Sequence, residues 1–239
     1  MDVPTTVRAA LSDQPVENAR CLEAGAGVGN TTAGLLQEGA DRVYAVTNNP
    51  VHAELVHDRI GRAYPNRTAV VEADLRAIPL SDDSVEIITA HGLFNVLPPT
   101  SLGDVVSEFT RVAAPGCRLI VDDYEPPPEG AAIWNLFSLE NAASQLADDT
   151  PALTFYPERV LRQQFVGSGW SVGRRKTLLE PVPWTKQHVR AHANRTSRLL
   201  EEVADELASP LEDELERIVA SIGSESTGRM YSVSFRSSQ

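Results

Sequence analysis

Apolar residues along the chain follow two alternating rhythms. Short runs rich in β-branched residues read as strands at 19–24, 42–47, 68–74, 84–92 and 117–124. Between them, apolar positions recur three and four apart, the spacing of one helix face. Residues 30–39 (NTTAGLLQEG) show that pattern and stop at Gly39. Val51, Leu55, Val56 and Ile60 mark a second helix, and LGDVVSEFTRVA a third that ends before Pro115 and Gly116. Residues 1–18, broken by Pro4 and Pro15, read as an amphipathic lead-in. Strand and helix thus alternate through the first half of the chain. That order predicts an α/β fold: a doubly wound, mostly parallel sheet covered by helices on both faces. Ligands of such sheets bind beyond the carboxyl ends of the strands, so function is sought just after each strand.

The rhythm changes after Tyr124. EPPPEG is a stiff turn, and residues 131–147 (AAIWNLFSLENAASQLA) predict a helix. FYPERVLRQQFVGSGW predicts another, with Pro157 near its first turn and Gly167 and Gly169 past its end. SVGRRKTLLE is a sixth strand. Residues 185–222 read as one long helical stretch interrupted near Pro210, and RMYSVSFR alternates as a last strand. The whole is expected to be a single domain, 1–239, with helical elaborations at 126–150 and 181–224. The second elaboration carries eight acids between Glu201 and Glu216. Its apolar residues, including Leu207, Leu211, Leu215 and Ile218, recur at helical spacing. It reads as a helical pair that either docks on the domain or forms a homodimer, with a solvated acidic face.

Composition narrows the partners. The chain has 239 residues, 21 basic and 33 acidic, for a net charge of -12. Such an acidic protein opposes a broad nucleic-acid surface, which needs a basic face. Cys21 and Cys117 sit in apolar runs, so they read as packing residues rather than a disulfide framework. The N-terminus lacks the apolar core of a signal peptide, and no apolar run approaches a membrane span. A cytoplasmic location without membrane attachment is expected.

The first strand runs into Glu23-Ala24-Gly25-Ala26-Gly27-Val28-Gly29-Asn30. Glycines let the backbone turn sharply and approach a ligand, and the helix behind them directs its amides at it. A dinucleotide loop would place its third glycine at position 30, which is Asn30. The E-x-G-x-G-x-G spacing instead resembles the first motif of class I S-adenosylmethionine-dependent methyltransferases. VVEADLRAIPLSDDSVEIITA is similar to that family's join between third and fourth strands. EFTRVAAPGCRLIV is similar to its segment leading into the fifth, with Cys117 where a glycine usually falls. The likeness covers about residues 19–180 in order. It implies a Rossmann-like seven-stranded sheet whose last strand is antiparallel, and S-adenosyl-L-methionine as cofactor.

The resemblance also implies roles. Glu23 would orient the loop or meet the ligand's amino group through water. Ala24, Gly25, Ala26 and Gly27 would bring backbone to the methionine part. Asp74 would accept from the adenine amino group, and the Leu75 amide would serve the ring. Ala90 and His91 would line the methionine end. One departure stands out: the family places an acid at the end of the second strand, where it takes both ribose hydroxyls, and here Thr47 and Asn48 stand there. Neutral groups hydrogen-bond a diol less strongly than a carboxylate.

Methyl transfer from a sulfonium is an in-line displacement that depends on alignment. His91 is the candidate general base, with a wall of the cofactor pocket as its alternative role. Asn95, on the same loop, and Tyr124, after the fifth strand, are candidate acceptor contacts. Trp134 is a third, from the helix predicted as a cover. Asp122, Asp123 and Glu125 could hold a metal or be solvated strand-end charge, and the second reading is preferred. His188 and His192, four apart, could share a helix face. Without a third ligand no metal site is expected. The absence of an Asn-Pro-Pro-Tyr motif after the fourth strand, and of a cysteine after the fourth or fifth, shifts weight to a small-molecule acceptor. The alternatives are a tRNA or protein methyltransferase and a non-catalytic cofactor-binding regulator.

Overall fold

The computed structural model describes residues 2–238. The chain runs α1 (Thr5–Leu11), β1 (Arg20–Ala24), α2 (Asn30–Gln37), β2 (Arg42–Thr47) and α3 (Pro50–Val56), which continues into a π-helical turn at His57–Gly61. Next come β3 (Thr68–Glu72), β4 (Val85–His91), α4 (Pro99–Val112), β5 (Ala113–Tyr124), α5 (Ala132–Asp148), α6 (Glu158–Gly167) and β6 (Trp170–Leu179). The chain closes with β7 (Val182–Trp184), α7 (Lys186–Leu200), α8 (Asp205–Ile222), β8 (Glu225–Thr227) and β9 (Met230–Ser237).

Seven strands form one sheet in the order β3-β2-β1-β4-β5-β9-β6. Five pair in parallel, and β9 lies antiparallel between β5 and β6. The expected Rossmann-like sheet with one reversed last strand is what forms. The chain winds outward from β1 to β3, then crosses back to β4. The carboxyl ends of β1 and β4 therefore flank the point where the order reverses.

Both faces of the central strands are apolar because both are covered. Leu22, Ile88, Leu119 and Val121 face α4 and α6, packed with Phe94, Phe109 and Phe165. Cys21, Val43, Ala45, Ile87 and Ile120 face α1 and α2. Each cysteine is buried, and burial raises both thiols well above their ordinary pKa, in keeping with packing.

The Glu108–Arg111 pair of α4 clamps the crossover before β4. Arg111 donates to Glu108, Asp82 and the carbonyls of Leu80 and Ile78, all at 2.8 Å. Glu108 in turn accepts from the Ile78 amide at 2.8 Å. The E-x-x-R spacing thus places both charges one helix turn apart to hold a loop.

The elaborations pack together as a third apolar cluster. Ile133, Leu136 and Phe137 of α5 meet Val189 of α7 and Leu215, Ile218 and Ile222 of α8. The apolar stripe of the C-terminal pair is used within the chain, the docked form of the two alternatives. A short antiparallel ribbon, β7 with β8, was not predicted; three-residue strands carry no periodic signal. It serves α5 directly: Glu225 of β8 accepts from the amides of Ala132 and Ile133 at 3.1 and 2.8 Å. A carboxylate there satisfies free amides and complements the helix dipole.

The predicted break at Pro210 is corrected. The helices part at 201–204, where Ala204 takes an extended conformation (φ -58, ψ 136), and Pro210 lies inside α8. Glu201 and Glu202 follow the negative end of α7, where acids disfavour continuation. Pro210 removes one bond to the carbonyl of Glu206, and both residues are exposed, so water can replace it.

Candidate functional site

The glycine loop joins β1 to α2 at the reversal point. The amides of Gly25 and Ala26 both donate to the Val46 carbonyl at 2.9 Å, tying the loop to the end of β2. Gly25 and Gly29 have φ of +74 and +79, a left-handed backbone that strains any other residue. At Gly29 there is also no room: a Cβ would lie 2.5 Å from Ile60 Cδ1. Arg59 holds the outer side, donating to the Val28 carbonyl at 2.7 Å and Asn30 Oδ1 at 3.0 Å.

Beneath the loop lies a group of buried acids. Glu23 is 3% exposed and accepts a short hydrogen bond from the Thr32 hydroxyl. Burial raises its pKa to about 7, against the hydrogen bonds of Thr32 and Thr31. Asp122 and Asp123 are buried too, so the reading of them as solvated strand-end charge is corrected. Strand β5 is covered on both faces as far as its end, and its acids meet protein donors instead of water. Asp123 accepts from the amides of Asn95 and Tyr124 at 3.1 and 2.8 Å, and burial raises it to about 7. Asp122 Oδ2 lies 3.0 Å from His91 Nδ1. Burial alone would lower the pKa of His91, but Asp122, then Asp123 and Glu23, outweigh it and raise it.

A cavity of about 430 Å³ opens beside the loop. Gly25, Thr47, Asn48, Asp74 and Leu75 line it, five of the residues assigned to the cofactor by resemblance. Leu93, Val96 and Leu97 form its apolar wall. Glu23, Ala24, Ala26 and Ala90 lie buried behind that surface, and Gly27 is half-buried at the loop. Thr47 Oγ1 accepts from the Asn49 amide at 3.2 Å, which leaves its hydroxyl proton to donate. Asn49 itself caps α3 through Val51 and His52, with Pro50 at the first helical position. Asp74 is gripped by Arg76 through Nε at 3.0 Å and Nη2 at 2.6 Å, and these bonds hold its carboxyl below the ordinary range. Arg76 lines the same cavity and had no signal in the sequence beyond its place two residues after Asp74.

A second cavity, about 220 Å³, lies over the ends of β4, β5 and β6. Asn95 and Tyr124 line it, with Phe137, Phe155, Trp184, His188 and His192 from the elaborations. Trp134 lines neither cavity; it is 40% exposed and packs on Phe155 at 6.1 Å between ring centroids. His91 likewise lines neither. The short turn at Phe94–Val96 separates the two spaces, with Val96 on the first and Asn95 on the second. The Asn95 carbonyl accepts from the Thr154 amide at 2.7 Å, while its buried side-chain Oδ1 has no protein partner.

Residues 21–116 match the family model described as a methyltransferase domain. The demethylmenaquinone methyltransferase of Clavibacter sepedonicus is 34% identical over 115 residues, 48% of this chain and 44% of that protein. The chain spans less than half the length of the curated relatives it matches. Among solved structures, a methyltransferase-like protein from Bacillus halodurans C-125 shares the fold with a TM-score of 0.69, at 15% identity, over 99% of this chain and 100% of that one. Geranyl diphosphate C-methyltransferase from Streptomyces coelicolor A3(2) does so with a TM-score of 0.61, at 12% identity, over 96% and 76%. At these identities the structures speak for the fold alone.

Proposed function

We propose that the chain transfers a methyl group from S-adenosylmethionine to a small-molecule acceptor. The observation that carries this is the cavity at the reversal point, where Gly25, Thr47, Asn48, Asp74 and Leu75 meet. The residues present fit the cofactor. The loop offers backbone without side chains, the Thr47 hydroxyl can donate to a ribose oxygen, and Asp74 keeps lone pairs for an amino group. When bound, the cofactor supplies an electrophilic methyl group on a sulfonium. The chain's own part is to align and to exclude water. Leu93 and Leu97 line the first cavity, and the Phe94–Val96 turn borders both, with Val96 on the first and Asn95 on the second. The net charge of -12 and the small second cavity, about 220 Å³, favour a small molecule over a nucleic acid. The free buried cysteines are compatible with a reducing, cytoplasmic setting. No helix among the described residues is long and apolar enough to cross a membrane. A homodimer through α7 and α8 has one supporting feature, the outward Leu207, 55% exposed.

Calorimetric titration with S-adenosylmethionine and with S-adenosylhomocysteine tests the reading. Micromolar binding of both, lost in Gly25→Val, is expected. Absence of binding to the folded wild-type chain refutes it.

A further inference from the structure

The second cavity contains a histidine held by a fully buried acid. Glu140 of α5 is 0% exposed, and its Oε2 lies 2.6 Å from His192 Nδ1. Arg195 Nε lies 3.3 Å from the other oxygen, Oε1. With Nδ1 turned to this acid, Nε2 is the nitrogen left for the cavity that the His192 ring lines. Phe137 fixes the ring further by an edge contact, with centroids 4.8 Å apart. A buried carboxylate, one imidazole nitrogen turned to it and the other left for a cavity together make the arrangement of a general base.

The walls define what the base acts on. Tyr124, Phe137, Phe155 and Trp184 supply flat apolar surface, and no carboxylate lines the cavity, since Glu140 stands behind His192. That lining offers flat stacking surface to an aromatic ring. Asn95 lines the opposite, β4–β5 side. The groups facing His192 are Glu140 from α5, Arg195 and His188 from α7, and Tyr124 from β5.

We propose that His192 is the catalytic base of this chain, that Glu140 is its positioning residue, and that the acceptor is a small phenol or enol methylated on oxygen. The inference rests on the methyltransferase reading above. In the step, the acceptor hydroxyl gives its proton to His192 Nε2, and its oxygen lone pair forms the bond to the methyl carbon. The carbon–sulfur pair stays on sulfur, which departs as a neutral thioether. The proton then leaves His192 for solvent.

The probe is 4-nitrophenol, whose anion absorbs visible light, titrated into the chain saturated with S-adenosylhomocysteine. The wild type is expected to bind it and to raise the nitrophenolate fraction above that in buffer. His192→Asn removes the rise while S-adenosylhomocysteine still binds. With S-adenosylmethionine, methylation of the phenol falls about 10²- to 10⁴-fold in His192→Asn. Glu140→Gln lowers kcat at little change in KM, and Glu140→Asp recovers part of it. Nitrogen-15 spectra of the five histidines, with the His192 signal assigned by its loss in His192→Asn, are expected to show Nδ1–H and an unprotonated Nε2 at His192, while the Nδ1–H of His91 beside Asp122 persists in the variant. An Nε2–H tautomer at His192, or unchanged nitrophenolate and rate in His192→Asn, overturns the base. No phenol binding beside intact S-adenosylhomocysteine binding overturns the acceptor class and leaves the methyltransferase reading standing. No S-adenosylhomocysteine binding overturns both.

Discussion

The neutral end of β2 predicts that Thr47→Asp tightens cofactor binding. Thr47 is 5% exposed and lines the first cavity, where the proposed cofactor would place its ribose. Its oxygen already accepts from the Asn49 amide at 3.2 Å, so it meets a diol with one hydroxyl proton. An aspartate oxygen can keep the Asn49 bond while the other accepts from the ribose hydroxyls. Hydrogen bonds to a charged group contribute about 1.5–3 kcal/mol against about 1 kcal/mol for neutral pairs. The nearest acid in the cavity wall, Asp74, is matched by Arg76 at 2.6 Å, so the new charge does not face a bare carboxylate. The net gain is about 1 kcal/mol, or about fivefold in Kd. Titration calorimetry of both proteins with S-adenosylmethionine measures it, with Thr47→Val expected to bind more weakly than wild type. If Thr47→Asp melts normally and binds no tighter, the ribose does not meet this strand end and the reasoning fails.

Three further perturbations follow from contacts already described. Arg111→Ala leaves Glu108 and the carbonyls of Ile78 and Leu80 without their donor, and should destabilise by about 2–4 kcal/mol in urea unfolding. A loss under 0.5 kcal/mol would mean water replaces the clamp freely. Glu225→Ala strips the α5 N-terminus of its cap, and should cost about 1–2 kcal/mol and raise the acceptor KM more than the cofactor Kd; equal effects on both would refute a local role. Glu23 is raised from 4.5 to about 7, so between those values the folded state keeps a proton that the unfolded state releases. Stability from this group is present below about pH 4.5 and is lost as pH rises toward 7, by about 3 kcal/mol. Denaturation curves should show Glu23→Gln gaining on wild type from pH 5 to pH 8, and parallel curves would sink the assignment.

The cavity proposed for the cofactor was legible as a gathering of residues because it is local. Gly25, Thr47, Asp74 and Leu75 follow three strands directly, and the order of strands puts their ends on one edge. The acceptor half depends on pairings distant in sequence. Glu140 and His192 are 52 residues apart, Glu225 and Ala132 are 93, and no spacing rule links either pair. The histidine pair at 188 and 192 did show helical spacing, yet metal binding was the chemistry that spacing suggested. The second ligand of His192 is a carboxylate on another helix, which makes it a base instead. Asp122 and Asp123 misled for a related reason. Their position at a strand end implies exposure, and only the 3-10 turn at Phe94–Val96 and the neighbouring strands bury them.

The distribution of acids ties these two halves together. The chain's excess negative charge is concentrated on α8 and the segment before it, where Glu201, Glu202, Asp205, Glu206, Glu212 and Glu216 are exposed. Solvated charge of that kind is screened within about a Debye length and acts mainly on solubility. The buried acids do the opposite: Glu23, Asp122, Asp123 and Glu140 each meet a hydroxyl, an amide or an imidazole, and each stands behind a cavity wall rather than in it. Of the acids lining the two cavities described above, Asp74 is bound by Arg76. Removing the negative charge of Glu140 should therefore change which nitrogen of His192 is protonated before it changes what the cavity can hold. That order separates a positioning acid from a ligand-binding one, and it is why the tautomer, more than affinity, is the decisive reading of this site.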